Sequence, residues 1–176
     1  MADYHCSYCE LHETFANIGF LVMDFANFEG RLAPALALML NDNGDQASAI
    51  LGQVDSFSYK WNTVVGIAQT LGGKSAMADA ILAIVDDVKE VNSFRNKLAH
   101  SGSRLHPPEL WLITSATSTK RGIPKSEPIT ADLVQLKLDK LRAAMTRLDD
   151  LIDWGKLTSN DGLMRGFRCS SGPVDM

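Results

Sequence analysis

Three cysteines in 176 residues are too few for a disulfide framework, so a core of apolar side chains must hold the chain together. Long apolar runs are also missing. The stretch from Leu32 to Leu40 contains Pro34 and stops well short of the roughly 20 residues that cross a bilayer. The opening Met1-Ala2-Asp3-Tyr4-His5-Cys6 lacks the basic start and apolar stretch of a secretory leader. The expectation is therefore a cytoplasmic protein without membrane contact. Positive charge is scarce too: the net charge is −4 and the pI about 5.5, so this chain does not collect nucleic acid through its overall field. There is no P-loop, no G-x-G-x-x-G, no nucleophile elbow, and no repeat of 20 to 50 residues.

The composition that is present, 45% hydrophobic and 22% charged, is that of an ordinary folded domain. Its periodicity is helical. Phe15, Ile18, Val22, Phe25, Phe28, Leu32, Leu36 and Met39 recur at steps of three and four and predict a long first helix with one buried face. Pro34 should kink or restart it near Arg31 to Ala33. After a loop at Asn41 to Asp45, a short helix is expected over Gln46 to Leu51. A second main helix follows, capped by Asp55 or Ser56, with Phe57, Trp61, Val64, Ala68 and Leu71 inside and Gly72-Gly73 as its end. Ser75 can cap a third helix with the stripe Met77, Ile81, Ile84, Val88, Val91, Arg95, Leu98.

Four prolines and a Ser/Thr cluster make Ser101 to Ile129 a long connection with room for a small hairpin at Leu110-Trp111-Leu112-Ile113. Connections this long often carry function. Thr130 can cap a last helix built on Val134, Leu138, Leu141, Met145, Leu148 and Ile152. The fold expected is all-α: one four-helix-bundle-like domain over residues 1–157, with short additional helices and the long connection before the last helix. Residues 158–176 show no stripe and are expected to form a tail.

Arginine on an apolar stripe needs a carboxylate, a phosphate or water to offset its desolvation. The simplest answer is a structural ion pair of Arg95 with Asp86, Glu90 or Asp149. Around it the charge of the chain reverses: Lys89, Arg95, Lys97 and Arg104 stand against Glu90 alone. Asn92, Asn96 and His100 form a polar ridge at steps of four beside the stripe. Arg95 and His100, five apart, lie roughly 140° around a helix axis and cannot meet within one helix.

The run Asn92-Ser93-Phe94-Arg95-Asn96-Lys97-Leu98-Ala99-His100-Ser101 resembles the HEPN family, whose signature is an Arg, often followed by Asn or Asp, with a His four to six residues later near a helix end. Phe28-Glu29-Gly30-Arg31-Leu32, Phe57-Ser58-Tyr59-Lys60 and the capped last helix extend the likeness over roughly residues 12 to 154, although only the Arg-Asn-x-x-Ala-His segment is specific. The resemblance implies a homodimer that cleaves RNA without metal at a site shared by two protomers. Arg95 would hold the scissile phosphate, Asn96 would orient the phosphate or His100, and His100 would be the acid or base, with the 2′-hydroxyl as nucleophile and a cyclic phosphate as product. Lys97, Arg104 and Trp111 are the expected RNA contacts. A toxin or antiviral defence role follows from the same likeness, with an antitoxin protein as a further partner in the toxin case. The alternative is a non-catalytic, nucleotide-binding or regulatory helical scaffold.

Other residues give weaker signals. His5, Cys6, Cys9 and His12 are permissible zinc ligands, but a single cluster beside a terminus falls short of the two separated ligand pairs of a structural site, and neither metal nor cofactor is expected. Cys169 reads as an isolated thiol, and His106, Lys120, Arg121 and Lys125 as solvated loop residues. Trp61 and Trp154 fit a core better than a base-stacking platform.

Overall fold

The computed structural model describes residues 7–42, 44–106, 109–114 and 125–152. The architecture is helical: α1 (Ser7–Gly30), α2 (Leu32–Leu40), α3 (Asp45–Gly52), α4 (Phe57–Leu71), α5 (Ala76–Ala83), α6 (Val85–His100) and α7 (Ala131–Asp149). A small antiparallel sheet of β1 (Gly102–His106), β2 (Glu109–Thr114) and β3 (Lys125–Ile129), in the order β1-β2-β3, occupies the connection before α7. No helix among the described residues is long and apolar enough to cross a membrane.

Most boundaries follow local chemistry. Pro34 ends α1 at Gly30, and Arg31 becomes the N-cap of α2; proline then sits in the first turn of α2, where its missing N–H costs no ladder bond. Asn41 closes α2 in the left-handed region at φ 52°, which asparagine tolerates. The Asp42 carboxylate accepts the Gln46 N–H at 2.8 Å and so caps α3. Ser75 accepts the Ala78 N–H at 3.3 Å ahead of α5, and Thr130 accepts the Leu133 N–H at 3.2 Å ahead of α7. Ser56 stands at the N-cap of α4 with extended backbone, but its side chain makes no capping bond.

Two expectations need correction. The third helix is two helices, because Ile84 leaves helical geometry at φ −109° and ψ 3° and separates α5 from α6; with neither glycine nor proline there, the pattern carries no break signal. On α1 the buried stripe is Leu11, Thr14, Asn17, Leu21, Phe25 and Phe28, whereas Phe15 and Val22 lie on the outside. The apolar residues of α1 nearly encircle it, so periodicity alone could not say which side faces inward.

The chain packs as two compact units, one of residues up to Phe28 with Ile84–Met145 and one of Glu29–Ala83 with residues from Thr146 on. In the first unit Leu21, Phe25, Val88, Val91, Phe94, Leu112, Ile129, Val134, Leu138 and Leu141 form the core. The second is built from α2 to α5 around Leu32, Leu36, Val64, Ala68 and Ile81, with Trp61 2% exposed. Within it Arg31 holds Asp149 through two bonds of 2.8 and 2.7 Å, and Lys60 pairs with Glu29 at 2.8 Å. The expected tail and Trp154 lie outside the described residues.

Candidate functional site

The segment singled out in the sequence forms the last two turns of α6. Val88, Val91 and Phe94 turn inward and fix the rotation of the helix. Arg95, one residue past Phe94, therefore falls at the edge of the core and is half-buried. Its guanidinium lies 5.3 Å from the centre of the Phe25 ring on α1, and its Nη1 donates to Asn96 Oδ1 at 3.2 Å. Among the described residues no other group takes its remaining N–H groups, which form a planar fork suited to a phosphate.

The ion pairs proposed for Arg95 from sequence do not form. Glu90 is engaged by Lys137 and Lys140 of α7, and Asp149 is engaged by Arg31. Among the described residues no carboxylate pairs with Arg95. Asn96 touches the arginine rather than the histidine. His100, the last residue of α6, is exposed, and Ser101 turns directly into β1, its N–H bonded to the Lys97 carbonyl at 2.9 Å.

The structure gathers the remaining candidates in part. Lys97 pairs with Glu127 of β3 at 2.9 Å, on another side of α6 from Arg95. Both groups are about half exposed, so solvent screens this pair and a competing phosphate can open it. Arg104 and Trp111 stand directly opposite one another in the β1–β2 register, and Trp111 faces Pro128 across β2–β3. Two residues seven apart in sequence thus share one cross-strand position. Pro128 is tolerated because β3 is an edge strand.

Sequence reasoning missed the electrostatic frame behind the motif. Glu90 accepts from both Lys137 and Lys140, and Asp87 pairs with Lys140 at 3.2 Å, tying α6 to α7 in antiparallel order. The bonds from Lys137 and then Lys140 hold the Glu90 carboxyl down at about 2, and the same carboxylates raise Lys140. The Lys137 ammonium also lies 5.8 Å from the centre of the Phe94 ring. Two acids three apart on α6, Asp87 and Glu90, and two lysines three apart on α7, Lys137 and Lys140, are the signal that could have found it. An open cleft of about 360 Å³ lies beside this network, lined among others by Phe94, Lys97, Glu127 and Lys137; neither Arg95 nor His100 lines it.

His5, Cys6, Lys120, Arg121 and Cys169 lie outside the described residues. Cys9 and His12 are exposed on α1, and no group of three metal-ligating side chains occurs among the described residues. No protein-family model, curated protein or solved structure matches the chain.

Proposed function

We propose that this protein is a metal-independent endoribonuclease whose site is shared by two protomers, each supplying Arg95, Asn96 and His100, as its resemblance to the HEPN family implies. The observation that carries the reading is Arg95: half-buried, stacked on Phe25, and without a carboxylate among the described residues. An arginine kept for structure would be expected to have an anion beside it. One kept for a phosphate needs its outer N–H groups open and its orientation fixed, and Phe25 with Asn96 provides both.

In this mechanism Arg95 binds the scissile phosphate and the charge that develops on it. Asn96 is a positioning residue that holds the guanidinium plane. His100 removes the proton from the ribose 2′-hydroxyl; the 2′-oxygen attacks phosphorus, the P–O5′ bond breaks, and a protonated imidazole returns a proton to the leaving 5′-oxygen. The products are a 2′,3′-cyclic phosphate and a 5′-hydroxyl. Arg104 and Trp111 offer a backbone contact and a ring for an unpaired base. A toxin or antiviral defence role, with an antitoxin partner in the first case, belongs to this reading.

The second reading is a non-catalytic helical scaffold, including its nucleotide-binding and regulatory forms, favoured by the separation of Arg95 and His100 to different sides of α6 within one protomer. Labelled single-stranded and loop RNA incubated in EDTA with wild type, Arg95→Ala and His100→Ala decides between them. Wild type is expected to cut and leave cyclic phosphate ends. Equal cutting by His100→Ala would sink the mechanism, and no cutting across a broad RNA panel would leave the scaffold.

A further inference from the structure

The outward side of α1 is unusually apolar. Phe15 is 49% exposed, Phe20 50%, Val22 51% and Met23 63%. Between Glu13 and Asp24 the helix carries no charge, and Ala16, Gly19 and Ala26 stand beside these four, with His12, Asn27 and the Asp24–Arg142 ion pair at the rim. Phe15, Gly19, Val22 and Ala26 follow one another at steps of four, three and four, the spacing of a seam that packs against another helix.

We infer that this face is where a second copy of the chain docks, α1 against α1 about a two-fold axis. The inference deepens the shared-site reading, on which its consequence for catalysis rests, but the interface itself is argued from α1 alone. A chain of net charge −4 repels its own copies, so a self-complementary contact is best made through a face without charge. With the axis near Gly19, the Phe15 end of each helix meets the Val22–Met23 end of the other, which sets large side chains against one another. Gly19 and Ala16 let the backbones approach between them; a Cβ added at Gly19 meets nothing within 4 Å, so the space there is open.

The area is of the right order. The four half-exposed side chains present on the order of 400 Å² of apolar surface, at roughly 100 Å² each. Doubled across a two-fold pair this is about 800 Å², and the exposed rim of His12, Ala16, Gly19, Ala26 and Asn27 carries it toward the roughly 1,200 Å² at which stable interfaces begin. The seam also reaches the motif, because Val22 lies one turn before Phe25, the residue under the Arg95 guanidinium.

Three full-length proteins test the interface: wild type, Val22→Glu, and Gly19→Cys in a background with Cys6, Cys9 and Cys169 changed to serine. Sedimentation equilibrium of wild type at micromolar concentration should give a dimer. Val22→Glu, with an unchanged circular dichroism spectrum, should weaken it at least about tenfold, since each glutamate would be buried without a partner. Under mild oxidation Gly19→Cys should yield a covalent dimer that reductant dissolves. A monomeric wild type would overturn the inference, as would a dimer that survives Val22→Glu and fails to cross-link at position 19. A monomer that floats with anionic vesicles would also overturn it, by giving the face to lipid. A dimer that meets every expectation yet leaves RNA intact would leave the interface standing and fail only the nuclease reading.

Discussion

Arg95 is the side chain at which a structural role and the proposed functional one predict different outcomes. Its stacking on Phe25 is a half-buried cation–π contact of about 0.5–1 kcal/mol, so Arg95→Ala should lower stability by no more than about that amount while impairing both RNA affinity and turnover. His100 is exposed at a helix end, and His100→Ala should leave stability within about 0.5 kcal/mol of wild type. Its turnover on RNA should fall by about 10²- to 10⁴-fold with less effect on binding. Thermal melts and cleavage assays on the same preparations check both; a loss of several kcal/mol from either change would favour the scaffold. Phe28, fully buried, gives the contrasting case: Phe28→Ala should cost about 3–5 kcal/mol through its cavity, measured by urea unfolding.

At the scale of elements, α6 is held to α7 by charge as well as by packing, and this has a pH signature. The Glu90 carboxyl, lowered from 4.5 to about 2 by Lys137 and Lys140, contributes stability that is present above its unfolded value and lost as pH falls toward 2. Glu90→Gln should therefore melt below wild type near neutrality, and the difference should shrink between about pH 5 and pH 2. Melting curves across that range check it; a constant difference would mean the carboxylate is not the source. Lys140, raised by the same carboxylates, works in the opposite sense: its contribution is present below its unfolded value and lost in strong alkali.

For the molecule as a whole, the two contacts proposed are of different kinds and should respond differently to salt. RNA held through Arg95 and Lys97 of each protomer, a few phosphates in all, should bind with a log–log salt slope on the order of −1.5 to −3. The α1 seam is apolar and should hold or tighten under the same titration. Fluorescence anisotropy of labelled RNA beside sedimentation of the protein at 50 to 500 mM salt, about the range over which the Debye length falls several-fold, separates the two. Parallel weakening of both would mean that the protein associates through charge.

Local rules in the sequence determined much of this protein. Caps at Ser75 and Thr130, the restart forced by Pro34, the loop opening at Asn41 and the stripes of α4 and α7 are visible without tertiary information, because each depends on residues within a turn or two. The position of the Arg95–His100 segment at a helix end was legible for the same reason. Only the tertiary structure decided which face of α1 is buried, since periodicity reports that an apolar face exists but not which of two adjoining ones meets the core. It alone assigned Glu90 and Asp149 to Lys137, Lys140 and Arg31 and left Arg95 to Phe25, because a choice among several carboxylates is made by distance in space. It also set Arg104 opposite Trp111, a register fixed by the pairing of strands that each sequence segment allows but neither dictates.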